Sequence, residues 1–197
     1  MRRQLLTGLL MTVALTVLVG LVYPFLMTGI AQAFMGSRAD GSFVTKDGKV
    51  VGSSLIGQNF LLSDGKPNPR YFQSRPSAAG TDGYDALSSG GSNDGPSSQT
   101  LLTNVSDRVA AYRRLNGLSR STPVPVDAVT ASGSGLDPDI SVANALLQAP
   151  RVARARGLGA ERVLQLVGAH TDDRQVGILG EKTVNVLDLN LALDKVR

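Results

Sequence analysis

The chain contains no cysteine and a single histidine, His170. The first absence excludes disulfides, thiol nucleophiles and Cys-ligated metals, although it does not identify a compartment, since an oxidising space permits disulfides without requiring them. There is no Gly-x-x-x-x-Gly-Lys-[Ser/Thr] run to cradle a nucleotide, no metalloprotease helix motif and no EF-hand loop. No Gly-x-Ser-x-Gly accompanies His170, so that residue reads as a capping or hydrogen-bonding side chain at a helix end more readily than as a catalyst. A concentrated basic face is missing too. The 20 Lys and Arg less Arg2 and Arg3 leave 18 against 16 Asp and Glu, a nearly neutral remainder that argues against nucleic-acid binding.

Charge is also absent, locally, from Gln4 to Ser37, and there its absence is informative. Roughly 20 apolar residues cross ~30 Å of hydrocarbon as a helix, and this run is longer. Arg2 and Arg3 precede it and no Lys or Arg follows until Arg38, which predicts a cytoplasmic N-terminus and an extracytoplasmic remainder. The expected organisation is residues 1–4 cytoplasmic, 5–35 transmembrane and 36–197 an extracytoplasmic α+β domain, with a small mixed sheet and several short helices. A cleaved signal peptide is the rival, because Ala31-Gln32-Ala33 resembles a processing site. A signal core is only ~7–15 apolar residues, about half this run, so an uncleaved anchor is expected.

Within the anchor Gly8, Thr12, Thr16 and Gly20 recur every four residues. Such a stripe lets helices approach closely in lipid and reads as a docking face for a partner helix, or as small residues that lipid merely tolerates. Pro24 leaves the Gly20 carbonyl without its i+4 donor and predicts a kink.

Asp47-Gly48 between Phe43-Val44-Thr45 and Lys49-Val50-Val51 predicts a hairpin, and Leu55 to Leu62 a further extended segment. Residues 63–98 are rich in Gly, Ser, Pro, Asn and Asp. A loop of that length is functional or held by specific contacts. Helical period runs from Gln99 to a C-terminal Gly117, then over Ser141 to Gln148, and Ala160 to Ala169, with Pro150 starting a new helix. Val184 to Leu187 reads as a strand, and Leu189 to Val196 is ambiguous between strand and helix.

Several groups carry two readings. Asp137-Pro138-Asp139 is a paired carboxylate for acid–base work or Ca²⁺, or a turn in which Asp139 caps the helix near Ser141. Asp172-Asp173 is a metal site or solvated loop. Arg151, Arg154, Arg156 and Arg162, opposed only by Glu161, form an anion-binding patch or an exposed charged face. Ser132 and Ser134 form a backbone nest or a flexible turn. Asn104-Val105-Ser106 matches a glycosylation sequon, but inside a predicted helix.

Taken in order, a set of motifs resembles one family. Gly20-Leu21-Val22-Tyr23-Pro24, Gly57-Gln58-Asn59-Phe60, Tyr71-Phe72 with Arg75-Pro76-Ser77-Ala78, Ser89-Gly90-Gly91-Ser92-Asn93, Val129 to Pro138, Arg151 to Leu158, His170-Thr171 and Val184 to Leu187 are similar to the C subunit of the Kdp-type potassium-transporting ATPase, KdpC. The likeness extends over nearly the whole chain. It departs at Asp139, where the family usually has His, and at Asp173, where it tends to have Gly. The resemblance implies a non-catalytic subunit of a bacterial inner-membrane complex with a channel-like A subunit, a P-type ATPase B subunit and a small F peptide, importing potassium at the expense of ATP. Arg75, Ser132, Ser134, Asp137 and His170 are motif residues to which it attaches no role.

One description of the family has this subunit bind ATP as a catalytic chaperone for the B subunit. Leu87-Ser88-Ser89-Gly90-Gly91 is loosely similar to an ABC-transporter signature, but a domain outside the membrane meets no cytoplasmic ATP. The other description seats the domain over the external potassium entrance of the A subunit. The alternative to the family reading is an anchored ligand-binding or hydrolytic domain, suggested by the Asp-containing 63–98 segment.

Overall fold

The computed structural model describes residues 1–196 and divides into two compact units, Met1–Val51 and the chain from Gly52 onward. In the first unit a helical run of 38 residues, Arg2–Ala39, broken at Met35, buries none of its side chains and is long and apolar enough to cross a membrane. At 1.5 Å per residue the part before Met35 extends roughly 50 Å, well beyond a ~30 Å hydrocarbon core. It comprises α1 (Arg2–Val17), a π-helical turn (Leu18–Val22) and α2 (Tyr23–Ala39).

In the π turn the Tyr23 N–H donates to the Leu18 carbonyl, one residue wider than an α turn. It contains Gly20, the residue whose carbonyl the Pro24 ring would crowd and leave without a donor. Backbone torsions leave the helical region at Met35 (φ −143°, ψ 36°). Beyond the helix, β1 (Phe43–Lys46) and β2 (Lys49–Ser53) form the hairpin expected at Asp47-Gly48. Both turn residues have positive φ, 52° and 76°, the torsions of a two-residue hairpin loop.

The second unit is α+β. Its elements are α3 (Gln99–Asn116), β3 (Asp139–Ser141), α4 (Val142–Arg156), α5 (Ala160–Ala169), β4 (Thr171–Asp172), β5 (Thr183–Asn185) and α6 (Val186–Asp194). The strands form one antiparallel sheet in the order β3-β5-β4, with Ile140 opposite Val184 and Thr171 opposite Val184 on the other side. Ile140, Val184, Val152, Val163, Val167, Leu189 and Leu193 are buried together, so α4, α5 and α6 share one core with the sheet. Phe72, from the long loop, is fully buried in the same core.

Several boundaries differ from expectation. Leu55 to Leu62 makes only single bridges, at Ile56 and Leu61, and no strand ladder. Pro150 does not open a helix but lies inside α4. The hydrogen bond it cannot make is to Leu146, and both residues lie on the exposed face, where losing that bond costs least. Asp139 is a strand residue, and the cap of α4 is Ser141, whose hydroxyl accepts from the Asn144 N–H. The strand at Thr183 ends at Asn185, which caps α6 through its side chain. Val186 and Leu187 therefore begin a helix, and the ambiguous tail is helical.

Arg151 and Arg156 are not part of an exposed face. Arg151 is 4% exposed and donates to the Pro69 and Tyr71 carbonyls, to Asn116 and to Gln148. The Arg156 side chain pairs with Asp194 at 2.9 Å and lies over the Tyr71 ring, 4.7 Å from its centroid. Five-donor guanidinium groups satisfy several loop carbonyls at once, which a short apolar side chain cannot do. Arg154 and Arg162 remain exposed.

Candidate functional site

The long loop is held by side chains acting as strand partners. Phe72 donates its N–H to Asn190 Oδ1 and accepts from Asn190 Nδ2, at 2.9 and 3.0 Å. Next along, Gln73 exchanges the same pair of bonds with the Gln148 amide, at 2.7 and 3.0 Å. Gln148 is in turn bonded to Asn144, whose Oδ1 accepts from the Tyr112 hydroxyl. Asn144, Gln148 and Arg151 recur at i, i+4 and i+7 on the buried face of α4. That spacing normally carries apolar residues. Three polar side chains at that spacing are the sequence signal that α4 braces a backbone. Burial pulls Arg151 down to about 10, so it stays charged at neutral pH.

Four motif residues meet just beyond this brace. Arg75 Nη1 donates to Asp137 Oδ2 at 2.7 Å, tying the long loop to the 131–138 turn, with both side chains about a quarter exposed. Asp137 Oδ1 accepts from the Asp139 N–H, the turn geometry expected of Asp-Pro. The Ser132 and Ser134 hydroxyls accept from the Gly135 and Leu136 N–H groups, so they fold their own turn. Tyr84 OH donates to the Arg75 carbonyl, and burial pushes this phenol up to about 12. Arg75, Ser132, Ser134 and Asp137 share an open hollow of about 600 Å³ with Leu55 and Ile56.

The glycines here have a packing reason. Gly90 N–H donates to the Ser134 carbonyl at 2.8 Å, and Ser89 Oγ donates to the same oxygen. Gly135 has φ +69°, and a Cβ on it would lie 2.6 Å from the Gly90 carbonyl oxygen. Ser89-Gly90-Gly91 and Gly133-Ser134-Gly135 are thus two backbones in contact, which accounts for the composition of the signature-like stretch without a ligand.

His170 lies elsewhere, as the C-cap of α5, with Nδ1 2.9 Å from the Leu166 carbonyl oxygen. A second hollow is lined by Asp139, Asp172, Asp173 and Glu181. Asp173 pairs with Lys182 and Glu181 with Arg174. Burial, with the Asp137 charge next, raises Asp139 above the ordinary carboxylate range. No group of three or more His, Cys, Asp or Glu among the described residues is arranged to hold a metal ion.

On the N-terminal apolar helix, Gly8 and Gly20 leave an open surface. A Cβ on Gly8 meets nothing within 4 Å, and one on Gly20 meets only Thr16 Cγ2 at 3.9 Å. Thr12 Oγ1 donates back to the Gly8 carbonyl at 2.9 Å, so its polar atom is satisfied within the helix.

Comparison with known proteins defines the class first. The family model described as the c chain of K⁺-transporting ATPases matches residues 5–195, and this makes the chain a subunit of a potassium-transporting ATPase. The chain belongs to the KdpC family. It is 55% identical over 196 residues to the potassium-transporting ATPase KdpC subunit of Mycobacterium tuberculosis, covering 100% of both chains. With the subunit of that name from Gemmatimonas aurantiaca it is 52% identical, over 100% of this chain and 94% of the relative. With that of Burkholderia ambifaria it is 53% identical, over 92% of this chain and 91% of the relative.

Proposed function

We propose that the chain is the non-catalytic, single-anchor subunit of its complex: Arg2 and Arg3 in the cytoplasm, residues 5–35 across a bacterial inner membrane, and residues 36–197 outside. The observation that carries this reading is the apolar helix Arg2–Ala39, which buries nothing against its own chain. Such a surface suits lipid, and its small-residue side suits a partner helix. Its partners in this reading are a channel-like A subunit, a P-type ATPase B subunit and a small F peptide. The Gly8, Thr12, Thr16 and Gly20 side faces one of them. The chain stabilises the assembly and acts at the external potassium entrance, and so supports the subunit that hydrolyses ATP.

The polar residues of the second unit fit a structural role. Arg75 and Asp137 tie two loops together, the Ser132 and Ser134 hydroxyls bond within their own turn, and the His170 ring bonds to a carbonyl of its own helix. A test is purification of the complex from membranes with and without this chain, followed by potassium-stimulated ATP hydrolysis. The expected result is loss of assembly and of stimulated hydrolysis together. Full potassium-stimulated activity in an intact complex lacking the chain would refute the reading.

A further inference from the structure

The helix α3 is amphipathic yet poorly covered. Of its 18 residues only the last, Asn116, is buried. The period that makes it a helix places Ala111, Tyr112 and Leu115 on one side, and these line a groove of about 550 Å³. Leu61, Pro67 and Pro76 contribute to its walls, and the Gln148 amide described above to its floor. A helix of this length normally buries part of its apolar side in its own domain. Here its C-terminal part, Ala111, Tyr112 and Leu115, opens onto the groove.

The rim has one sign of charge. Lys66, Arg75, Arg108 and Arg114 line the groove, and among the described residues no Asp or Glu does. Lys66 is neutralised by Asp64 and Arg75 by Asp137. Among the described residues Arg108 donates only to the Val129 carbonyl, at 3.1 Å, and Arg114 has no carboxylate partner. Two guanidinium groups are therefore uncompensated. In addition, Arg75 Nε is buried and has no hydrogen-bond acceptor among the described residues, an uncommon state for a charged group.

Apolar walls below and unneutralised guanidinium groups above suit a ligand that is itself apolar and carries carboxylates. A guanidinium takes a carboxylate through two parallel hydrogen bonds, and the walls take the side chains beside it. A small inorganic anion would leave the walls wet. A bilayer surface is broad and does not enter a concavity of this size, which suits a chain segment. We propose that this groove is the docking site for an acidic, otherwise apolar peptide segment of another subunit of the complex. The inference rests on the reading that the chain assembles with other subunits.

The test uses the full chain within its complex. A photo-crosslinking residue is placed at Ala111, in the groove, and in a control at Gln165, on the exposed side of α5. The expected result is a cross-link from position 111, and not from 165, to an Asp- or Glu-containing peptide of a partner subunit. Arg114→Glu should cut that yield about tenfold, the scale of reversing a charge at an interface, with the melting temperature of the purified chain unchanged. An intact complex in which position 111 labels nothing, or only lipid or nucleotide, would overturn the inference and leave the broader reading standing. A chain that co-purifies with no partner would overturn both.

Discussion

Asn190 and Phe72 are 118 positions apart and exchange two buried hydrogen bonds, the side-chain amide of one completing the backbone of the other. This is the pairing of adjacent strands made without a second strand. It places Phe72 in the core while the loop around it has no regular structure.

Replacing Asn190 by Leu leaves the N–H and C=O of Phe72 buried and unpaired. The expected loss is about 2–4 kcal/mol, the cost of orphaning two buried polar groups. Chemical denaturation of the full chain in detergent, followed by a signal from the second unit, measures it. An unchanged midpoint would show that the loop is held without this pair.

Arg75 and Asp137 should be coupled. Their side chains are 22% and 29% exposed, between the limits of surface and interior pairs. A double-mutant cycle with Arg75→Met and Asp137→Asn is expected to give a coupling of about 1–2 kcal/mol. Additivity of the two single effects would mean that the pair contributes no energy of its own to holding the two loops together.

Gly135→Ala meets two obstacles, a left-handed φ of +69° and a carbonyl oxygen 2.6 Å from the new Cβ. A loss of about 2 kcal/mol or more in unfolding free energy is expected, since both strain and overpacking contribute. Gly8→Leu with Gly20→Leu, where nothing stands closer than 3.9 Å, should leave the fold unchanged and release the chain from its complex. Co-purification that survives both changes would remove the stripe as a docking face.

Asp139 gives a pH dependence of definite sign. Its carboxyl is raised, first by burial and then by the Asp137 charge, so the folded chain holds this proton at a pH where the unfolded chain has lost it. Its contribution to stability is therefore fully present below the ordinary carboxylate value, about 4, and falls as pH rises through the raised one. Asp139→Asn should raise the melting temperature at pH 7, and the gain should vanish in acid, near pH 3 or below. Its retained carbonyl oxygen can still accept from Thr183, which donates to Asp139 Oδ2 at 3.3 Å. A gain that is the same at both ends would assign it to something other than charge.

Much of the architecture is a local matter and was legible without the structure. An uncharged apolar run from Gln4 to Ser37 is a helix fit for a bilayer whatever follows it, because lipid leaves the backbone no other partner than itself. Asp47-Gly48 makes its hairpin, and Gly117 ends α3 with φ 67°, because each outcome depends on torsions at one or two residues. Ala160–Ala169 is a helix with the expected ends for the same reason.

Other features depended on partners far away in the chain, and only the tertiary structure decided them. Arg151 and Arg156 look like a charged surface until the Pro69, Arg70, Tyr71 and Leu193 carbonyls are brought beside them. Pro150 looks like a helix start until α4 is seen to turn that residue to solvent. The 63–98 segment has no period of its own because its order comes from Asn190, Gln148, Asp137 and Gly135, through hydrogen bonds across 58 to 118 positions. Periodicity reports which face of an element is apolar. It carries no record of which distant amide completes a loop's backbone, and in this protein those amides shape the region where the motif residues meet.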